Sequence, residues 1–233
     1  MPDAQAGRRA LLGGAGGLVT LAVLAPGDRT LPFVVWEDDF TGPSGRMPRH
    51  WQFDRTARAA AGRMTPANAA LDGNGHFTLA ARSTDHGYTC TQVYGTYPAR
   101  VIAVGQFLEV RAKVPVSPGV WPALWTMGAN SPHNGPGIPP ATGWPACGEV
   151  DLLEVMYADS RERYSAHLHA PQAGQPSNWR IAQPVMTPGW HSYGVWFQHD
   201  SISLFYDTAL IGVARKAARP PGSAGSSTNR SSP

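Results

Sequence analysis

The eight residues GEVDLLEV, Gly148 to Val155, restrict this chain more than any other stretch. Apolar residues without a helical period read as a strand, yet Glu149, Asp151 and Glu154 place three carboxylates in it. Side chains alternate across a strand, so Glu149 and Asp151 share a face. Glu154 lies three positions beyond Asp151 and by strict alternation would point the other way. A β-bulge removes the conflict, because one extra residue at Leu152-Leu153 shifts the phase of the rest of the strand. Glu154 then rejoins Glu149 and Asp151 on one surface. Val150 and at least one leucine face the core.

The rest of the chain supports a β fold. HFTLAARS follows the turn Asp72-Gly73-Asn74-Gly75 and alternates. In GQFLEVRAKVPV, Leu108, Val110, Ala112 and Val114 form an apolar face, with Phe107 on the face of Glu109, Arg111 and Lys113. GVWPALWTMG, RYSAHLHA, GWHSYGVWFQ and SISLFYD read as further strands, and no helix is expected. The 26 Gly and 22 Pro suit many turns, and only 15% of residues are charged, against about 25% in an average soluble domain. A single all-β sandwich is the expected architecture. The formal charge of +3 comes from scattered arginines, so nucleic acid is not an expected partner.

Residues 1–26 carry Arg8-Arg9, then an apolar run from Ala10 to Leu24 and small residues near Ala25. That run is short and Gly-rich for a membrane span and resembles a twin-arginine export signal. The expected product is a secreted monomer with no membrane contact after signal removal. Residues 213–233 are low in complexity and are expected to be disordered. The domain between them is expected over residues 27–212. Cys90 and Cys147 are too few for a disulfide framework, and their pairing stays open.

A row of acids on one strand face has a chemical reading. Two carboxylates about 5–5.5 Å apart across a sugar bond are the equipment of a retaining glycosidase. The bland readings are a hydrogen-bonded acidic strand or a calcium site, although calcium favours loops with carbonyl ligands. Trp121, Trp125 and Trp144 flank the acids, and indoles pack on the C–H faces of sugars. His167 and His169 share a face of the next strand.

The run GVWPALWTMGAN, a Pro/Gly-rich loop and GWPACGEVDLLEV together resemble glycoside hydrolase family 16, nearest the bacterial laminarinase-type endo-β-1,3-glucanases. The resemblance extends from Trp36-Glu37-Asp38-Asp39-Phe40 to the strand Ser201–Asp207. It implies a jelly-roll sandwich of concanavalin A type with a concave cleft, and cleavage of internal β-1,3 or β-1,3/1,4 glucosidic bonds by double displacement. It further implies Glu149 as nucleophile, Glu154 as general acid/base and Asp151 as the residue that tunes the nucleophile. Trp121, Trp125, Trp144 and His169 are then substrate neighbours, whereas His167 and Trp190-His191 are read as structural. No cofactor is expected, and a calcium site seen on the convex face in the family is not supported here. The family's last strands are not recognisable after Gly212, so the alternative is an inactive, truncated relative that only binds β-glucan. No Arg or Lys cluster lies in the cleft segments to hold sulfate.

Overall fold

The computed structural model describes residues 18–23 and 33–216, apart from 60–61, 116–118, 132–141, 157–161 and 172–177. Among the described residues strands dominate, with one 3-10 turn at Pro66–Asn68. Ten strands build the two principal sheets: β1 (Leu18–Val23), β2 (Phe33–Asp38), β3 (Gln106–Lys113), β4 (Ala123–Met127), β5 (Glu149–Glu154), β6 (Ser165–His169), β7 (Asn178–Ala182), β8 (Trp190–Phe197), β9 (Ser201–Tyr206) and β10 (Ala209–Arg215). One sheet has the order β10-β9-β8-β3-β1-β2 and the other β4-β5-β6-β7. Every pairing within them is antiparallel.

The sheets pack face to face through one apolar core. Val150, Leu152 and Leu153 of β5 and Ala166 and Leu168 of β6 meet Leu108 of β3, Tyr193 and Val195 of β8 and Leu204 of β9. Val110, Ala112 and Val114 pack against this core, as the alternation of β3 requires. Phe107, expected on the polar face, is buried as well. Its ring lies edge-on to Phe205 at 5.6 Å, over the space that Gly194 leaves open. A Cβ at Gly194 would stand 2.7 Å from the Phe107 ring.

The Trp36–Phe40 motif holds the start of the domain. Asp38 Oδ2 accepts from the Trp51 indole at 2.8 Å and pairs with Arg100 at 2.9 Å. The Arg100 guanidinium also sits 4.8 Å above the Trp36 ring. Asp72 accepts from the amides of Asn74 and His76, so the turn read from the sequence is built as expected. Trp190 lies stacked on His76 at 5.1 Å with Arg111 4.9 Å from its ring, which agrees with a packing role.

Two features extend the sequence reading. β1 lies inside the run read as an export signal, and its backbone bonds to both β2 and β3. Cleavage near Ala25 would remove that strand and open an edge on each neighbour. β10 reaches Arg215, slightly past the expected boundary at residue 212, and residues 217–233 lie outside the described residues. Both cysteines are free thiols, each 3.4 Å from a methionine sulfur: Cys90 from Met64 and Cys147 from Met127.

Candidate active site

The bulge expected in β5 is present. Against β4, Trp125 pairs with Asp151 while Leu124 pairs with Leu153, so Leu152 is the extra residue. Against β6 the register also shifts between Asp151 and Glu154. Leu152 and Leu153 are consecutive and both buried, which a regular strand with one wet face would not allow. Glu149, Asp151 and Glu154 therefore form one row.

The second wall of the site is β6. Glu149 lies opposite His169 and Asp151 opposite His167 in register. Side chains cross this ladder diagonally. His169 Nε2 stands 2.9 Å from Asp151 Oδ2, although that oxygen lacks a well-aligned hydrogen bond. His167 Nδ1 is 2.7 Å from Glu154 Oε2, and both side chains are largely buried. The sequence alone reads His167 as structural. Its contact with Glu154 instead makes it a partner of the outermost acid. Alternation of His167 and His169 on the strand after the acids is the signal available for it.

An indole marks each end of the row. Trp144 Nε1 donates to Glu149 Oε2 at 2.5 Å, and Trp121 Nε1 donates to Glu154 Oε1 at 3.3 Å. Trp144 is 54% and Trp121 49% exposed, so each keeps an open ring surface while its N–H is used. Trp144 also lies 5.4 Å from the His169 ring. Its position follows from a tight turn, in which Cys147 N–H donates to Gly143 O at 3.1 Å and Gly148 N–H to Pro145 O at 3.0 Å. Gly148 has φ +82, a conformation that L side chains rarely adopt. Trp121 precedes β4, and Pro122 O accepts from Val155 N–H at 3.0 Å, which brings it beside the Glu154 end. Trp125 is half-buried opposite Asp151; among the described residues its indole makes no hydrogen bond to an acid.

Electrostatics separate the three acids. Asp151 is 1% exposed. Burial, then the charges of Glu154 and Glu149, then a hydrogen bond with Glu149, push its pKa up to about 9. At neutral pH Asp151 carries a proton and gives it as a hydrogen bond toward Glu149. Glu149 and Glu154, both partly buried, are the outer carboxylates of the row. Two donor sets, Glu149–Asp151–His169 and Asp151–Glu154–His167, have ligand atoms within 4.8 Å of one another. A protonated central acid flanked by indole donors suits a sugar-facing row better than a cation site, and we assign no metal to it.

No protein-family model matches the chain. It is 30% identical over 143 residues to a keratan-sulfate endo-1,4-beta-galactosidase of Sphingobacterium multivorum, covering 58% of this chain and 31% of that protein. It is 31% identical over 137 residues to the endo-1,3-1,4-beta-glycanase EglC of Rhizobium meliloti, covering 58% of this chain and 26% of that protein. The chain thus spans about a third or less of the length of these curated relatives. Among solved structures, the laminarinase from Flavobacterium sp. UMI-01 superposes with a TM-score of 0.62 at 25% identity, covering 79% of each chain. By sequence and by fold, the chain is similar to endo-1,3-1,4-beta-glycanases and laminarinases, which is consistent with a laminarinase-like protein of the family that its motifs resemble.

Proposed function

We propose that the chain is a retaining endo-glycosidase that cleaves β-1,3 or β-1,3/1,4 glucosidic bonds. The bulge-set row of three carboxylates, with an indole at each end, is the observation that carries this reading. Glu149 attacks the anomeric carbon, and the bond to the leaving oxygen breaks as Glu154 protonates that oxygen. A glycosyl ester on Glu149 results. Glu154, now a carboxylate, takes a proton from water, whose oxygen attacks the same carbon and frees Glu149. Neutral Asp151 steadies the Glu149 carboxylate without adding a second charge beside it. Trp121 and Trp144 supply stacking surface for rings on either side of the bond.

The test is proton NMR of laminarin and mixed-linkage β-glucan during digestion by the full chain. The β-anomer of the new reducing end should appear first, followed by mutarotation. First appearance of the α-anomer would mean inversion and would remove the covalent step. No new reducing ends, with retention of the protein on insoluble β-1,3-glucan, would leave a binding protein without turnover.

His167 acts as a positioning residue for Glu154. It holds Oε2 at 2.7 Å, and the Trp121 indole holds Oε1, so the carboxyl plane is fixed from both sides. His167→Gln should slow laminarin hydrolysis at least tenfold, about 1.4 kcal/mol of transition-state stabilisation. An aryl β-glycoside with a good leaving group needs little acid assistance and should lose much less. Equal losses on both substrates would reduce His167 to a structural part of the sheet.

A further inference from the structure

A pocket distant in sequence from the acid row is lined by Arg55, Arg58 and Arg63, with Phe53 and Met64 as its apolar sides. Its volume is about 270 Å³. The three arginines are exposed, and among the described residues no acidic one lines the space. Asp54, the only acid between Asp39 and Asp72, is buried and fully used. Its Oδ1 accepts from Thr56 N–H at 2.8 Å, from Thr56 Oγ1 at 2.7 Å and from Ala57 N–H at 3.2 Å, and its Oδ2 accepts from Gln92 at 2.9 Å. Among the described residues, no carboxylate pairs with Arg55, Arg58 or Arg63.

The pocket is therefore a concentration of positive charge that no carboxylate among the described residues compensates. Arg58 is held to its own loop, with Nη1 donating to Thr56 O at 2.9 Å and Ala57 O at 3.2 Å. That uses one nitrogen of a guanidinium with five donors. Arg63 comes from a two-residue strand, Arg63–Met64, which pairs with Thr89 and Cys90. Gly62 beside it runs so close to Tyr88 O that a Cβ there would meet that oxygen at 2.1 Å. Arg63 is thus fixed on a strand and Arg58 is braced on a loop, so part of the ordering cost is met before a ligand arrives. Planar guanidinium forks match the oxygens of a tetrahedral or carboxylate anion, and Phe53 offers a ring to the C–H face of a sugar.

We propose that this pocket binds an ester sulfate carried on a sugar of a polysaccharide. The pocket lies outside the cleft segments, where the sequence shows no basic cluster. The polymer class rests on the proposed glycan substrate, whereas the anion site does not. The experiment is affinity electrophoresis of the full chain in native gels containing laminarin or laminarin sulfate, at about 50 mM salt so that ionic contacts are not screened out. Near-UV circular dichroism confirms folding of each variant. The wild type should be retarded by laminarin sulfate well beyond its retardation by laminarin. The variant Arg55→Gln/Arg58→Gln/Arg63→Gln should lose that excess at least tenfold. The variant Arg49→Gln/Arg163→Gln/Arg215→Gln has the same net charge and should keep it. Equal losses in both variants would show general charge attraction and overturn the site. So would equal retardation of the wild type by both polymers, or tighter retention by single-stranded DNA than by laminarin sulfate. Sulfate-dependent binding without laminarin hydrolysis would leave the pocket standing and remove the glucanase reading alone.

Discussion

Glu149→Ala and Glu154→Ala should both fail on laminarin, and azide should restore them to opposite anomers. Loss of the nucleophile removes the covalent path, so Glu149→Ala should fall at least about 10⁴-fold, equivalent to roughly 5.5 kcal/mol. Loss of the acid/base should cost about 10²–10⁴-fold on the same substrate. The two are separated by a dinitrophenyl β-glycoside of a laminari-oligosaccharide. Its leaving group departs without a proton, so Glu154→Ala should still form the glycosyl ester on Glu149 and then stall. Azide needs no general base. It should attack that ester from the open face and give the β-glycosyl azide. In Glu149→Ala the space left by the carboxylate admits azide to the opposite face, and the product should be the α-glycosyl azide. The same anomer from both variants would refute the assignment of roles. Exchanged anomers would reverse them. The assignment comes from the motif resemblance; in the structure the Trp144 indole holds Glu149, while His167 and Trp121 hold Glu154.

Much of this site is legible in the sequence because the strand breaks its own period. Three acids at 149, 151 and 154 fit one face only with an extra residue, and Leu152 is that residue. The two-sheet fold is legible from alternation in segments such as β3, whose apolar phase does meet the core. Phe107 keeps the face of its charged phase-mates, opposite the core, but its burial there is not readable, because the space above Gly194 is covered only when β9 brings Phe205 across it. His167 escapes sequence reasoning for a related reason. In register it faces Asp151, and only the bulge carries Glu154 back within 2.7 Å of it. The order of the larger sheet is not readable, since β1 comes from a run whose composition also suits a leader. The arginines at 55, 58 and 63 are singly spaced in the chain and form a cluster only where a loop meets a short strand.

Asp151→Asn should make the protein more stable and less active, with a stability gain that grows with pH. Burial and the two neighbouring glutamates push Asp151 up to about 9, so the native state keeps its proton through neutral pH. An unfolded aspartate releases it near 3.9. Between about pH 4 and pH 9 the native state thus binds one proton more than the unfolded chain, and stability falls as pH rises through that window. Below about pH 4 both states are protonated and the contribution is flat. Asparagine has no proton to take up, so the variant lacks this fall, and its amide can still donate toward Glu149. The difference in melting temperature between variant and wild type, each read at the same pH and salt, should be near zero at pH 4. It should reach at least about 3 °C at pH 8, roughly 1 kcal/mol for a chain of this size. An amide is a weaker donor to a carboxylate than a carboxylic acid, so laminarin turnover should drop about tenfold in the same variant. A variant less stable than the wild type across pH 4–8 would mean that Asp151 is ionised in the native row. The central acid would then be a third charge beside the nucleophile, and Glu149 would need another source for its hydrogen bond.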